Sequence, residues 1–321
     1  MKLPIIQSVW VGNPLSRLEQ LCVKSFLDHG HEFHLYTYDE VGNIPLGATI
    51  KDANKIVPRD EIFTYKGGSF AGFGNLFRYA LLSKKGNFWV DMDVVCIKPL
   101  AFDEKIVFAA SIDSGYECSV LAFPKGHALC EQLEQACRHH NWDFPWDDLA
   151  DKKRKRKARW LKQRKEKTAF GKIGGPVVFS KAVDYYKLQS HAKPFMYFYP
   201  LHYPIGEHYF TDKFHEGIRL YHDTHAVHLW NEHIRRTPGF DKNARFDKHS
   251  LFEQLAKKHG IEPAPNAPRI KSAELIALVK AHNSEGAKRK RRQRKILLAL
   301  ALAVVFGMVA GQYLVGFSGF E

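Results

Sequence analysis

The sequence predicts an α/β fold: a mixed sheet flanked by helices, then a C-terminal helical extension and an apolar last segment. Three observations predict it. The chain opens strand–helix–strand, the start of a parallel sheet. A pair of aspartates closes the aromatic, apolar run in "GNFWVDMDVVCIKPL", residues 86–100, as expected where the strands of an open sheet end and ligands gather. The 321 residues, 45% apolar and 13% aromatic, suffice for one sizeable core with additions.

Taken in order, "LPIIQSVWVG" is an apolar run suited to a buried first strand. "SRLEQLCVKSFLDHG" reads as a helix: Ser16 and Glu19 have capping-box spacing, Leu18, Leu21, Cys22 and Phe26 make an apolar stripe, and Gly30 ends it. "EFHLYTYD" is a second strand, and "GNLFRYALLSKKG" a helix stopping near Gly86. Strands follow at "NFWVDMDVV", "KIVFAAS" and "ECSVLAF", then a helix in "HALCEQLEQACRHH" with apolar positions 129, 133, 136 and 137. "GGPVVFSKAVDYY" reads as turn and helix, "AVHLW" at 226–230 as a strand, and 250–260 as a short helix opening with S-x-x-E. "EPAPNAP" is a stiff linker before one more amphipathic helix. The expected organisation is a catalytic domain over 1–240 with a basic insertion at 150–168, a helical extension over 241–287, and a basic segment with an anchoring helix over 288–321.

A net charge of +14 suggests nucleic acid until its distribution is read. Residues 152–167, "KKRKRKARWLKQRKEK", carry +10, and 288–295, "KRKRRQRK", carry +7, which leaves the rest of the chain at −3. The body is near neutral and the basicity lies in two appendages, which argues against a nucleic-acid binder. The first appendage, with Trp160 and Leu161 among its cations, reads equally as an anionic-lipid or anionic-acceptor surface and as a solvated insertion. The second precedes "ILLALALAVVFGMVAGQYLVGF", 296–317, uncharged and long enough as a helix to span a bilayer. The flanking cations would keep the catalytic part on the cytoplasmic side, and the expected location is a bacterial inner membrane. Gly307 and Gly311 form a G-x-x-x-G that can support a homodimer. The five cysteines show no regular spacing, and no secretory leader pattern opens the chain, so free thiols in a reducing compartment are expected.

Asp91 and Asp93 are costly neighbours unless a cation offsets their repulsion. Oxygen ligands select Mg²⁺ or Mn²⁺, ions that bridge phosphate oxygens, so the spacing suits nucleotide-diphosphate chemistry. Alone, D-x-D is a weak motif.

The chain resembles the DXD-motif glycosyltransferases that include α-1,4-galactosyltransferases and yeast-type α-1,6-mannosyltransferases. The resemblance lies in "NLFRYALLSKKGNFWVDMDVVCIKPL", supported by "IIQSVWVGNPLS", "SVLAFPKGHAL", "GGPVVFSKAV" and "AVHLWNEHIRR", and covers roughly residues 3–235. It implies a GT-A fold, a Rossmann-like nucleotide-binding sheet, and a metal-dependent, retaining transfer of a hexose from a nucleotide-diphosphate sugar, with a lean to UDP. The acceptor would be a saccharide or lipid-linked hydroxyl, as in polysaccharide or lipopolysaccharide synthesis. It further implies that Trp10, beside Val9, stacks on the base, and that Asn75 and Arg78 contact ribose and donor sugar, Asn75 standing where relatives carry an acid. Asp91 would face ribose and sugar, Asp93 and His228 would hold the metal, and Trp230 would contact the β-phosphate. Arg78, Asp91 and Asp93 are the expected catalytic set. Without the resemblance, Trp10 is equally a core aromatic and Arg78 a surface charge, and Gly174, Gly175 and Pro176 are equally an acceptor loop and a simple turn. Two rivals stand beside this reading: a phosphatase of the haloacid-dehalogenase type with Asp91 as nucleophile, and a non-catalytic membrane adaptor.

Overall fold

The protein's computed structural model describes residues 3–12, 14–65, 68–168, 171–214, 220–286 and 288. Its strands are β1 (Ile6–Trp10), β2 (Phe33–Thr37), β3 (Thr49–Asp52), β4 (Asn87–Val90), β5 (Val94–Cys96), β6 (Val107–Ala110), β7 (Tyr116–Phe123), β8 (Ala192–Lys193) and β9 (Ala226–His228). The helices used below are α1 (Arg17–Asp28), α2 (Ala71–Lys85), α3 (Ala128–Arg138), α4 (Leu149–Trp160), α5 (Pro176–Tyr185), the single turn α6 (Asn231–Ile234), α7 (Leu251–Lys258) and α8 over residues 272–286.

Seven strands form one sheet in the order β3-β2-β1-β4-β7-β6-β8, and β5 pairs with β9 in a separate ribbon. The first half of the sheet is parallel, β3 with β2, β2 with β1 and β1 with β4, while β7 runs antiparallel to both β4 and β6. This mixed sheet flanked by helices is consistent with the GT-A architecture expected from the sequence. Side-chain alternation explains why the strands read as apolar runs. Tyr36, Trp89, Phe108 and Leu121 pack under α2, α3 and α5 on one face, and Leu35, Phe88, Val90 and Val120 pack against α1 on the other.

The chain moves from β1 to β2 and β3 on one side, then crosses back to place β4 on β1's other side. The carboxyl ends of β1 and β4 therefore flank the point where the winding reverses, the crevice in which open α/β sheets bind ligands. Trp10 ends β1, and Asp91 immediately follows β4.

Helix α1 begins as expected, with Glu19 accepting the Ser16 backbone N–H at 3.0 Å. Its outer side carries Leu18 and Leu21 into a further cluster with Val95, Phe210, Phe252 and Leu275, which seats the C-terminal helices on the sheet's α1 side. The four apolar positions predicted in α3 are all buried.

Three expectations are corrected. The run "NFWVDMDVV" is not one strand: β4 stops at Val90, and β5 starts at Val94 in the other sheet. The strand expected over 226–230 ends at His228, because Trp230 takes a left-handed conformation, φ 55° and ψ 37°. The basic insertion is not simply solvated, since α4 forms within it and buries Lys155 and Ala158. The apolar segment 296–317 and its G-x-x-x-G lie outside the described residues, and no helix among the described residues is long and apolar enough to cross a membrane.

Candidate metal centre

The site begins with how α2 ends. Gly86 takes φ +67°, and a Cβ there would lie 2.7 Å from the Lys125 nitrogen, so glycine is required for the helix to turn directly into β4. Strand β4 then delivers its end to β7: the Asp91 N–H donates to Ser119 O at 2.8 Å, and Val94 N–H donates back to Asp91 O at 3.0 Å. D-x-D thus occupies a tight turn between the two sheets.

Strand β5 fixes what stands opposite. Its antiparallel register sets Val94 against His228, and the Leu229 N–H donates to Asp93 O at 2.9 Å. The left-handed Trp230 then turns the chain so that the Asn231 N–H donates to Asp93 Oδ2 at 2.8 Å. His228 Nε2 comes to 3.2 Å from the other oxygen, Oδ1. One ligand atom each from Asp91, Asp93 and His228 lie within 4.8 Å of one another. Residues far apart in the chain converge because a two-stranded ribbon joins them.

The electrostatics follow from burial and pairing. Asp93 and His228 are each only 9% exposed. Burial pushes the Asp93 carboxyl up, but the adjacent His228 and the Asn231 N–H outweigh it and hold the group below its ordinary range. Burial likewise opposes charge on His228, yet Asp93, helped by Asp91 and Glu117, raises the imidazole above its usual value. His228 Nδ1 is buried without a hydrogen-bond partner. The ring packs against Trp230 at 4.1 Å and Tyr199 at 5.9 Å between centroids.

Asp91 is held from behind. Its Oδ1 accepts from Arg78 Nη2 at 2.6 Å and from Trp89 Nε1 at 2.7 Å. Arg78, 4% exposed, lies 5.3 Å from the Trp89 ring and donates through Nη1 to Asn75 Oδ1 at 3.0 Å. Burial works against the guanidinium charge, but Asp91 outweighs it and strengthens the group's hold on its proton. Asn75 donates in turn to Ile173 O at 2.7 Å. Both ends of the Asn75 amide are thus engaged within the protein, and two arms of the Arg78 fork point at protein acceptors. The chain Ile173–Asn75–Arg78–Asp91 sets one oxygen of Asp91 and leaves the other as its remaining acceptor.

Of the other predicted residues, Val9 packs on the α2 side of the sheet and Trp10 on the α1 side. The Lys242 Nζ lies 5.4 Å from the Trp10 ring centroid. The Trp230 indole N–H donates to Leu201 O at 2.8 Å, so what it offers a ligand is a ring surface. Glu117 was missed by the sequence reading. Antiparallel pairing of β7 with β4 brings the start of β7 beside the end of β4, and Glu117 accepts from Ser111 Oγ at 3.0 Å. Burial raises this carboxyl above its ordinary range. An acid opening the otherwise apolar run "ECSVLAF" was the available signal.

These residues fit a hard divalent cation. Two carboxylates and an imidazole are the donor types that Mn²⁺ and Mg²⁺ accept, and a cation would relieve the crowding of Asp91, Asp93 and Glu117. Asp91, Asp93 and His228 would hold it.

No family model matches the chain, and no curated protein does. Among solved structures, one described as PaToxG Glycosyltransferase aligns with 59% of this chain and 73% of its own at 13% identity, with a TM-score of 0.38. At that score the likeness defines neither fold nor activity, which rest on the topology and the site themselves.

Proposed function

We propose that the protein is a metal-dependent glycosyltransferase that moves a hexose from a nucleotide-diphosphate sugar, UDP being the favoured nucleotide, to a hydroxyl of a saccharide or lipid-linked acceptor. The observation that carries this reading is the Asp91–Asp93–His228 cluster just beyond the carboxyl end of β4, the strand that with β1 flanks the point where the sheet's winding reverses. A divalent cation at that cluster supplies charge neutralisation for a departing diphosphate. The protein's part is to hold the acids ready: the Asn231 N–H orients Asp93, Arg78 and Trp89 orient Asp91, and the buried setting strengthens each contact. To Trp10, which ends β1, we assign the stacking face for the base. In the reaction the bond from the anomeric carbon to the β-phosphate oxygen breaks, the acceptor oxygen takes that carbon on the same face, and the hydroxyl proton leaves with the phosphate. The sequence of the tail supports an acceptor at the cytoplasmic face of a membrane.

The test is calorimetric titration of UDP and GDP with and without Mn²⁺, on the wild type and on Asp93→Asn, which keeps an acceptor for the Asn231 N–H. We expect Mn²⁺-dependent binding of UDP that is at least tenfold weaker in the variant. A folded wild type that binds neither nucleotide in the presence of metal overturns the proposal.

A further inference from the structure

We infer that the outer face of α4 is a docking surface for an anionic lipid bilayer, a proposal independent of the reaction assigned above. Helical spacing divides this element into two faces. Asp151, Lys155 and Ala158, at i, i+4 and i+7, turn inward. Lys155 is buried and donates to Asp147 Oδ2 at 2.6 Å, and Lys181 of α5 bridges to Asp148 at 2.6 Å and to Asp151. The helix is therefore held in place before any ligand arrives. Leu149, Lys153, Arg156, Lys157 and Trp160 form the opposite stripe, and all five are exposed.

Two features of that stripe choose the occupant. Its three cations have no acidic partner among the described residues, although the inward cations are paired. Its ends are large apolar side chains fully offered to water, Leu149 at 86% and Trp160 at 81% exposure, with Leu161 beside Trp160. Cations between apolar ends are the pattern of a helix lying in a charged interface, where the ends enter the headgroup boundary and the cations meet lipid phosphates. A nucleic acid would use the cations and the indole but gains nothing from the exposed leucines. The sequence adds a second basic run and an uncharged stretch of 22 residues at 296–317, a composition that also suits a membrane.

The experiment is hydrogen-exchange mass spectrometry on the full chain with phosphatidylcholine vesicles, with vesicles that also contain phosphatidylglycerol, or with a single-stranded oligonucleotide. Peptide-level readout over 149–164, and variants confined to α4, separate α4 from any contribution of the tail. We expect residues 149–164 to gain protection only on the anionic vesicles. In the triple variant Lys153→Gln, Arg156→Gln, Lys157→Gln, the lipid concentration giving half-protection should rise on the order of 100-fold, at roughly fivefold per side chain. The variant's melting temperature should match the wild type, since none of the three is paired, and Trp160→Ser should weaken protection without altering its dependence on anionic lipid. Equal protection on neutral vesicles, protection by the oligonucleotide alone, or no protection anywhere each overturns the proposal.

Discussion

Asn75 and Arg78 brace Asp91 from behind through three hydrogen bonds. The amide of Asn75 joins the Arg78 fork to the carbonyl of Ile173, so it works as a brace between α2 and the loop before α5. Asn75→Ala leaves that carbonyl and one guanidinium arm without partners in a buried setting. The expected cost is about 1–3 kcal/mol, read by denaturant unfolding. Asn75→Asp should not restore it, because a carboxylate cannot donate to Ile173 O. A variant as stable as the wild type shows that the brace carries no load. This role was illegible from sequence: an N-x-x-R spacing places two side chains on one helix face, but nothing local tells whether that face meets ligand or protein.

The insertion around α4 is the element whose behaviour follows most directly from its charges. Asp147 accepts from both Lys155 Nζ and the Phe144 N–H, and the ion pair is buried. Removing one partner strands the other, so Asp147→Ala is expected to cost about 3 kcal/mol, while joint replacement of the pair by apolar residues should cost much less. Paired denaturant melts measure the difference, and equal losses would contradict the burial argument. His140 lies beneath the same insertion. Burial first, then Lys165 and Arg154, push its imidazole down to about 4, against weaker pulls from the Gln163 backbone and Glu166. The unfolded chain therefore binds a proton near pH 6.5 that the folded one refuses until about 4. Stability from this group is complete above 6.5 and is lost as the pH falls towards 4. His140→Gln should flatten that part of the stability–pH curve, and an unchanged slope would assign it elsewhere.

Across the whole molecule, the C-terminal helices are tied to α1 by Arg17. It pairs with Glu253 through both arms, at 2.7 and 2.6 Å, and donates to Ile261 O and Ala244 O. Arg17→Ala leaves the half-buried Glu253 carboxylate with the Phe246 N–H in place of a cation, and two carbonyls unanswered. We expect a loss of about 3–5 kcal/mol, with faster hydrogen exchange over 244–261 than in the sheet. Uniform loosening of both regions would mean that the extension and the sheet open as one unit.

How much was legible depends on how local each cause is. The opening β1–α1–β2, the end of α2 at Gly86 and the cap of α7 were readable because period, capping residue and glycine each act within a few positions. The two carboxylate donors of the candidate metal cluster were readable from the chemistry of D-x-D. Three things depended on long-range pairing. The turn that carries Asp91 and Asp93 exists because β5 leaves the main sheet to pair with β9, a partner more than a hundred residues away in the chain. Glu117 joins the site because β7 runs antiparallel to β4. His228 was named from a resemblance, and only the β5–β9 register brings it to Asp93. The sequence by itself determined that Asp91 and Asp93 could bind a cation and where β1, α1, β2, α3 and α7 lie. The tertiary structure decided which side chains meet at that pair, since hydrogen-bond register between distant strands is not encoded in the residues nearest the site.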